Sequence, residues 1–273
     1  MTTAGGDPVA ALVGRERALV WAGVTGSTLV AWGYLAHLAQ RMAGLTPEAG
    51  MAGMGSMGPV RAPWTAVDIA FTFGMWAIMM VGMMLPATAP VILLFAAVNR
   101  KRREGGGLGV PTAVFVLGYV VVWGAFSVGA ALAQWALHEA ALLSSAMATT
   151  SPIVGGALLV AAGVYQLTPL KSICLARCRS PLGWLMTEWR DGVAGALRMG
   201  LRHGLYCLGC CWVLMGLLFV LGVMNLVWVA ALTLFVLLEK VAPAGVLIGR
   251  LASGVLILAG LVLLGSATGM SGM

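Results

Sequence analysis

Residues 204–223 read Gly-Leu-Tyr-Cys-Leu-Gly-Cys-Cys-Trp-Val-Leu-Met-Gly-Leu-Leu-Phe-Val-Leu-Gly-Val, a run without one charged side chain. A helix needs about 20 apolar residues to cross the hydrocarbon core of a bilayer. A helix also satisfies its own backbone hydrogen bonds there, and the alternating pattern that a β-barrel would need is absent. This stretch therefore predicts a transmembrane helix that carries three cysteines.

The rest of the chain repeats this apolar pattern. Of its 273 residues, 60% are hydrophobic and 9% are charged, too few polar groups to cover a soluble fold of this size. The predicted spans are 18–39, 66–98, 110–136, 152–170, 204–223, 226–241 and 243–265. We predict an all-α polytopic transmembrane helix bundle in which residues 1–273 form a single integral membrane domain. It has about seven spans, or six if the short run 226–241 does not cross.

The basic residues predict the orientation of the bundle. With the N-terminal lead 1–17 in the cytoplasm, fourteen of the sixteen lysines and arginines fall on the inner side, and only Arg41 and Arg61 lie outside. This is the positive-inside distribution. Residues 40–64 then form an outer Met-rich loop, and residues 171–203 a cytoplasmic, basic and amphipathic loop. The net charge of +7 follows from topology, so we expect the lipid bilayer, and no nucleic acid, as a partner.

The cysteines are candidate metal ligands. All five lie on the predicted inner side, where cellular thiols stay reduced, and they occur in two short tracts. Residues three and four apart share a helix face, so each tract presents its sulfurs on one stripe, and the two stripes converge if the loop folds back. The predicted ligands are Cys174, Cys178, Cys207, Cys210, Cys211 and His203. Such a site would hold a soft metal, Cu(I) first and zinc second. The alternative is that these thiols pack as small hydrophobic groups.

Methionines populate the predicted outer loop and the second span. The candidate thioether ligands are Met51, Met54, Met57, Met75, Met79 and Met83. Thioether binds Cu(I) weakly and thiolate binds it tightly, so a gradient from methionine outside to cysteine inside fits a copper path. The alternative is that the helical methionines fill the core and that the outer ones belong to a low-complexity linker.

Glycines and prolines in the spans predict how helices meet. Gly195, Gly200 and Gly204 are small residues that allow helix backbones to approach. Pro86 and Pro90 lie in the long second span, where we expect a kink that frees backbone carbonyls.

Few charged residues lie inside the apolar runs. We expect Glu239 and Lys240 to pair with each other or to extend toward the membrane interface. Hydrolase, kinase and dinucleotide motifs are missing, and the Gly-rich run after Arg103 follows no strand. The sequence therefore favours a binding protein over an enzyme, and the enzymatic activity left open is thiol–disulfide exchange.

The cysteine tracts carry a resemblance to a known family. Cys174-Leu-Ala-Arg-Cys178, the tract from His203 to Trp212, and Trp76-Ala-Ile-Met-Met-Val-Gly-Met-Met-Leu-Pro86 resemble a bacterial family of predicted metal-binding integral membrane proteins. The family is a domain of unknown function, loosely associated with copper handling and named after copper chaperones. The resemblance runs from about Trp32 to the last span and implies a multi-pass protein of the bacterial inner (cell) membrane.

These features lead to one predicted function and two alternatives. The first is Cu(I) binding by the cytoplasmic-side thiols in copper handling, chaperoning or transfer across the membrane, with a soluble metal chaperone or metalloprotein as partner. A transmembrane thiol–disulfide oxidoreductase, with Cys207 and Cys210 as its redox pair, is the second. The third is a membrane anchor or assembly factor for a metalloprotein.

Overall fold

The computed structural model describes residues 8–44, 64–106, 109–140, 142 and 151–270. In this part of the chain all regular structure is helical, which confirms the all-α class. The helices are α1 Pro8–Gly44, α2 Ala66–Glu104, α3 Thr112–Glu139, α4 Pro152–Gln166, α5 Pro169–Arg179, α6 Pro181–Glu188, α7 Gly192–Gly216, α8 Leu218–Leu221, α9 Leu226–Val241 and α10 Gly245–Met270.

Helix starts follow local capping chemistry. At α2, the backbone N–H of Thr65 donates to the Asp68 carboxylate at 2.8 Å, while the Thr65 hydroxyl accepts from the backbone N–H of Asp68. This reciprocal capping box satisfies two N–H groups that would otherwise lack partners. Helices α4, α5 and α6 each begin with a proline, whose missing N–H costs nothing at the first helical position.

The described helices that could cross a membrane are fewer than the predicted seven and reach at most the predicted alternative of six. Among the described residues, 5 helices are long and apolar enough, or up to 6 if α4 and α5, bent by 62° relative to each other, form one broken span. Helix α9 has 16 residues and falls below spanning length. Helix α7 begins well before residue 204, where the span was predicted to start. The prediction missed its first turns because Arg198 and Arg202 lower their hydropathy, although arginines do not prevent a helix.

Glycines bring α3 and α7 into direct backbone contact. A Cβ at Gly200 would overlap the carbonyl of Phe115 and lie 3.2 Å from the Cα of Gly118. A Cβ at Gly204 would lie 2.9 Å from Cγ2 of Val122. The predicted close approach is therefore confirmed for Gly200 and Gly204. It is wrong for Gly195, which faces the backbone of Arg190 just before its own helix.

Replacing Gly200 by alanine is expected to destabilise the protein by about 1–3 kcal/mol, because the added methyl group forces α3 and α7 apart. Thermal unfolding of the detergent-solubilised protein measures the effect. Gly129→Ala is the matched control, since a Cβ at Gly129 meets nothing within 4 Å. Equal stability of the two variants would show that this contact is not tight.

Pro86 frees a carbonyl that another helix uses. Pro86 has no N–H, so the carbonyl of Gly82, four residues earlier in α2, loses its helical donor. The indole N–H of Trp32 in α1 donates to this oxygen at 3.3 Å. The predicted release of a carbonyl is confirmed at Gly82, and the freed group anchors α1 on α2.

Candidate functional site

The thiol of Cys207 in α7 lies between two polar side chains from other helices. The ammonium Nζ of Lys240 in α9 donates to its sulfur at 2.9 Å. The hydroxyl of Tyr119 in α3 is 3.0 Å from the same sulfur and donates to the backbone carbonyl of Met84 at 3.1 Å. Cys207 has no exposed surface, and Tyr119 and Lys240 are 2% and 7% exposed. These contacts join α3, α7 and α9 at one sulfur atom, and the Tyr119 hydroxyl links them to α2.

Two further thiols lie on the same helix face. Sγ of Cys210 donates to the backbone carbonyl of Cys207 at 3.1 Å and lies 3.2 Å from Sγ of Cys211. Cys210 is 1% exposed and Cys211 is fully buried. The i, i+3, i+4 spacing therefore places the three sulfurs where helix geometry predicts them, on the stripe that faces the protein interior.

Helix α5 contributes the fourth thiol. The side chain of Cys178 interacts with those of Cys207 and Cys210. Cys174 faces α7 from the same helix but lies against its backbone: a Cβ at Gly209 would be 2.7 Å from its sulfur. The structure thus brings Cys207, Cys210 and Cys211 together, places Cys178 beside Cys207 and Cys210, and places Cys174 against the backbone of α7.

His203 lies one turn before Cys207, inside an aromatic enclosure. Its ring centroid is 6.2 Å from that of Phe115, 5.9 Å from that of Tyr119 and 5.1 Å from that of Trp184. The side chain is 2% exposed, and its Nδ1 has no hydrogen-bond partner in the described part of the chain. An imidazole nitrogen without a partner remains available as a ligand or proton acceptor.

The predicted methionine ligands are placed differently. Met75, Met79 and Met83 in α2 are 0–2% exposed and belong to the hydrophobic core. Their helix reaches the thiols through the bond from Tyr119 to the carbonyl of Met84. The other three predicted thioether ligands lie in 45–63, outside the described residues.

Glu239 and Lys240 do not pair with each other, and both side chains are buried against other partners, so that prediction is wrong. Consecutive residues of α9 point to different sides: Lys240 to Cys207, and Glu239 to Lys171 at 2.6 Å. Glu239 and Lys171 are each 2% exposed at the side chain. The signal for both contacts was in the sequence, because an ionisable residue within an apolar run marks a partner or a functional site.

The distances between the thiols are those of hydrogen bonds rather than those of ligands around a shared metal ion. Within the described ranges, no group of three or more His, Cys, Asp or Glu side chains is arranged to hold a metal ion. Cys210 and Cys211 are 3.2 Å apart at sulfur, whereas two thiolates at about 2.3 Å from one tetrahedral metal are about 3.8 Å apart. The donor set fits a soft metal, but binding would require the sulfurs to separate and Lys240 to withdraw.

The structure therefore defines an all-helical protein that has helices long and apolar enough to cross a membrane and free thiols at the interface of α5 and α7. Residues 73–263 match the PpoB2 family, which is described as copper chaperone, and the match spans more than half of the chain. The chain belongs to this family. The predicted resemblance to a copper-handling family is confirmed. No curated protein and no solved structure matches the chain.

Proposed function

We propose that the chain is a multi-pass protein of the bacterial inner membrane that binds Cu(I) through the thiols of Cys178, Cys207, Cys210 and Cys211. The ammonium group of Lys240 at 2.9 Å from Cys207 supports this most directly. A cation that donates to sulfur is the natural partner of a thiolate, and the thiolate is the form of cysteine that binds metals. The family's description as copper chaperone favours copper over zinc.

Metal binding in this proposal replaces one cation by another. Lys240 neutralises the buried sulfur when copper is absent, because an unpaired buried charge is costly. Cu(I) carries the same charge as the ammonium group, so the net charge stays balanced if the lysine withdraws from the thiols or if a second thiol releases its proton when it binds the metal. Cys174 and His203 lie close enough to enter the ligand set after this rearrangement, and both remain proposed ligands.

Thioethers would bring copper to the thiols. Met75, Met79 and Met83 form a buried row at four-residue spacing along α2. Weak soft ligands in series suit a path, because an ion must leave each of them, whereas thiolates suit the terminus. Met51, Met54 and Met57 are proposed to collect copper before this row, and a soluble metal chaperone or metalloprotein is proposed as the partner in the exchange.

Replacing Met75, Met79 and Met83 by leucine is expected to slow copper transfer severalfold while the protein still folds. The exchange conserves volume and usually costs under about 1.5 kcal/mol per site. Copper supplied outside proteoliposomes is measured with a Cu(I) chelator trapped inside them. Met186→Leu is the matched control, because Met186 is 70% exposed and does not belong to the buried row.

The same preparations separate copper transfer from thiol–disulfide exchange. An oxidoreductase would oxidise Cys207 and Cys210 to a disulfide and pass two electrons and two protons to a partner disulfide, a reaction that needs no thioether. Equal copper transfer by the leucine variant and the unmodified protein, together with loss of disulfide exchange in Cys207→Ser, would reject the copper path and support the oxidoreductase.

A further inference from the structure

A polar cavity lies on the other side of α9 from the thiols. Its volume is about 390 Å³, and α4, α5, α9 and α10 enclose it. The polar side chains that line it include Gln166, Lys171, Arg179, Glu239 and Arg250. None of these residues belongs to the proposed copper site, so the cavity can be considered independently of the copper proposal.

The cavity carries an excess of positive charge. Lys171 and Glu239 neutralise each other at 2.6 Å. Arg179 donates to the backbone carbonyls of Glu239, Ala242 and Pro243, so its charge is held in place without a carboxylate partner among the described residues. Arg250 is exposed at the mouth of the cavity. Three cations against one carboxylate leave two positive charges for an anionic ligand.

Unused hydrogen-bonding groups face the same space. Gln166 is 7% exposed, yet neither its amide nitrogen nor its amide oxygen has a hydrogen-bond partner among the described residues. Oε2 of Glu239 is likewise buried without one in this part of the chain. Buried polar atoms without partners destabilise a protein, so a polar ligand with both donors and acceptors would relieve that cost.

The rim of the cavity is apolar and exposed. Leu167 and Val246 line it and are 56% and 47% exposed, and the neighbouring Leu247 is 57% exposed. Large apolar side chains beside a charged cavity are suited to a ligand that has a charged group and a hydrocarbon part. Basic pockets between membrane helices on the cytoplasmic side are known to hold anionic lipid headgroups.

We propose that this cavity binds the phosphodiester headgroup of an anionic phospholipid. The phosphate lies toward Arg179 and Arg250. Headgroup hydroxyls donate to Oε2 of Glu239 and exchange hydrogen bonds with the amide of Gln166. The acyl chains leave over Leu167 and Val246. Free phosphate offers the same anionic group without the apolar part, so the two sources can be distinguished by experiment.

The test is lipid binding by the purified, detergent-solubilised protein. Native mass spectrometry and thermal unfolding are measured with added phosphatidylglycerol, phosphatidylcholine or inorganic phosphate. Phosphatidylglycerol is expected to be retained in preference to phosphatidylcholine and to raise the unfolding temperature. Arg250→Gln should reduce this preference by about fivefold, as expected for the loss of one cation from a membrane-surface site.

Two variants separate lipid binding from a structural role. Arg198→Gln removes an equivalent exposed charge outside the cavity and should leave the preference unchanged. Gln166→Leu removes a buried amide without a partner, so a purely structural role predicts equal or greater stability with unchanged lipid retention, whereas the proposal predicts reduced retention. Equal retention by Arg250→Gln and the unmodified protein, or stabilisation by inorganic phosphate alone, would overturn the lipid proposal. Cu(I) affinity should be the same in all three variants.

Discussion

Cu(I) titrated into a variant with Cys207, Cys210 and Cys211 all replaced by serine is expected to show no tight binding. Serine keeps the size of the side chain and removes the soft donor, so the hydroxyls cannot hold Cu(I) against a competing chelator. Changes to groups that merely support a metal ligand cost roughly 10–100-fold in affinity, and the loss of three ligands should exceed that. Competition with a chromophoric Cu(I) chelator under anaerobic conditions measures the affinity.

Single replacements in α5 give a matched comparison. Cys178 interacts with the thiols of α7, whereas Cys174 lies against the backbone at Gly209. Cys178→Ser should therefore weaken Cu(I) binding more than Cys174→Ser. Unchanged affinity in the triple variant would remove the site. A larger loss in Cys174→Ser than in Cys178→Ser would show that the bound state rearranges α5 around Cys174.

Breaking the buried pair between Lys171 and Glu239 is expected to destabilise the protein by about 3–5 kcal/mol. In Glu239→Leu the ammonium group of Lys171 stays 2% exposed without its carboxylate, and in Lys171→Met the carboxylate is left without its cation. The reason is the cost of a buried charge, which a protein interior and a bilayer do not solvate. Equilibrium unfolding of each variant in detergent measures the loss.

The double variant Lys171→Met with Glu239→Leu tests that reason. Replacing both charges by apolar groups of similar size removes the burial cost as well as the attraction, so most of the stability should return. Lys101→Met is the control, because Lys101 is exposed and its replacement removes the same charge from the surface. Additive losses in the double variant would mean that the two side chains do not interact.

Much of the fold could be predicted from local sequence. The long apolar runs predicted helices, and the structure confirms the all-α class among the residues that it describes. The close approach of α3 and α7 was predictable from Gly200 and Gly204, since only glycine leaves room for another backbone. The span count was less certain, because α9 has 16 residues and the bend between α4 and α5 depends on how those helices pack.

The candidate site also has a part that was predictable from local sequence and a part that depends on helix packing. Helix periodicity alone places Cys207, Cys210 and Cys211 on one face. The partners of Cys207 were not predictable, because Tyr119 and Lys240 come from helices 88 and 33 residues away in sequence. Periodicity fixes which residues share a face of their own helix and carries no information about the helix opposite.

Composition and the spacings within single helices were enough to predict the helices and which cysteines share one helix face. Helix packing, in contrast, is what directs Lys240 to the thiols and Glu239 to Lys171. Adjacent residues of a helix point about 100° apart, so each charged side chain pairs with a group on the neighbouring helix that it faces. Burial then makes that pairing obligatory, because neither charge can remain alone in an apolar interior.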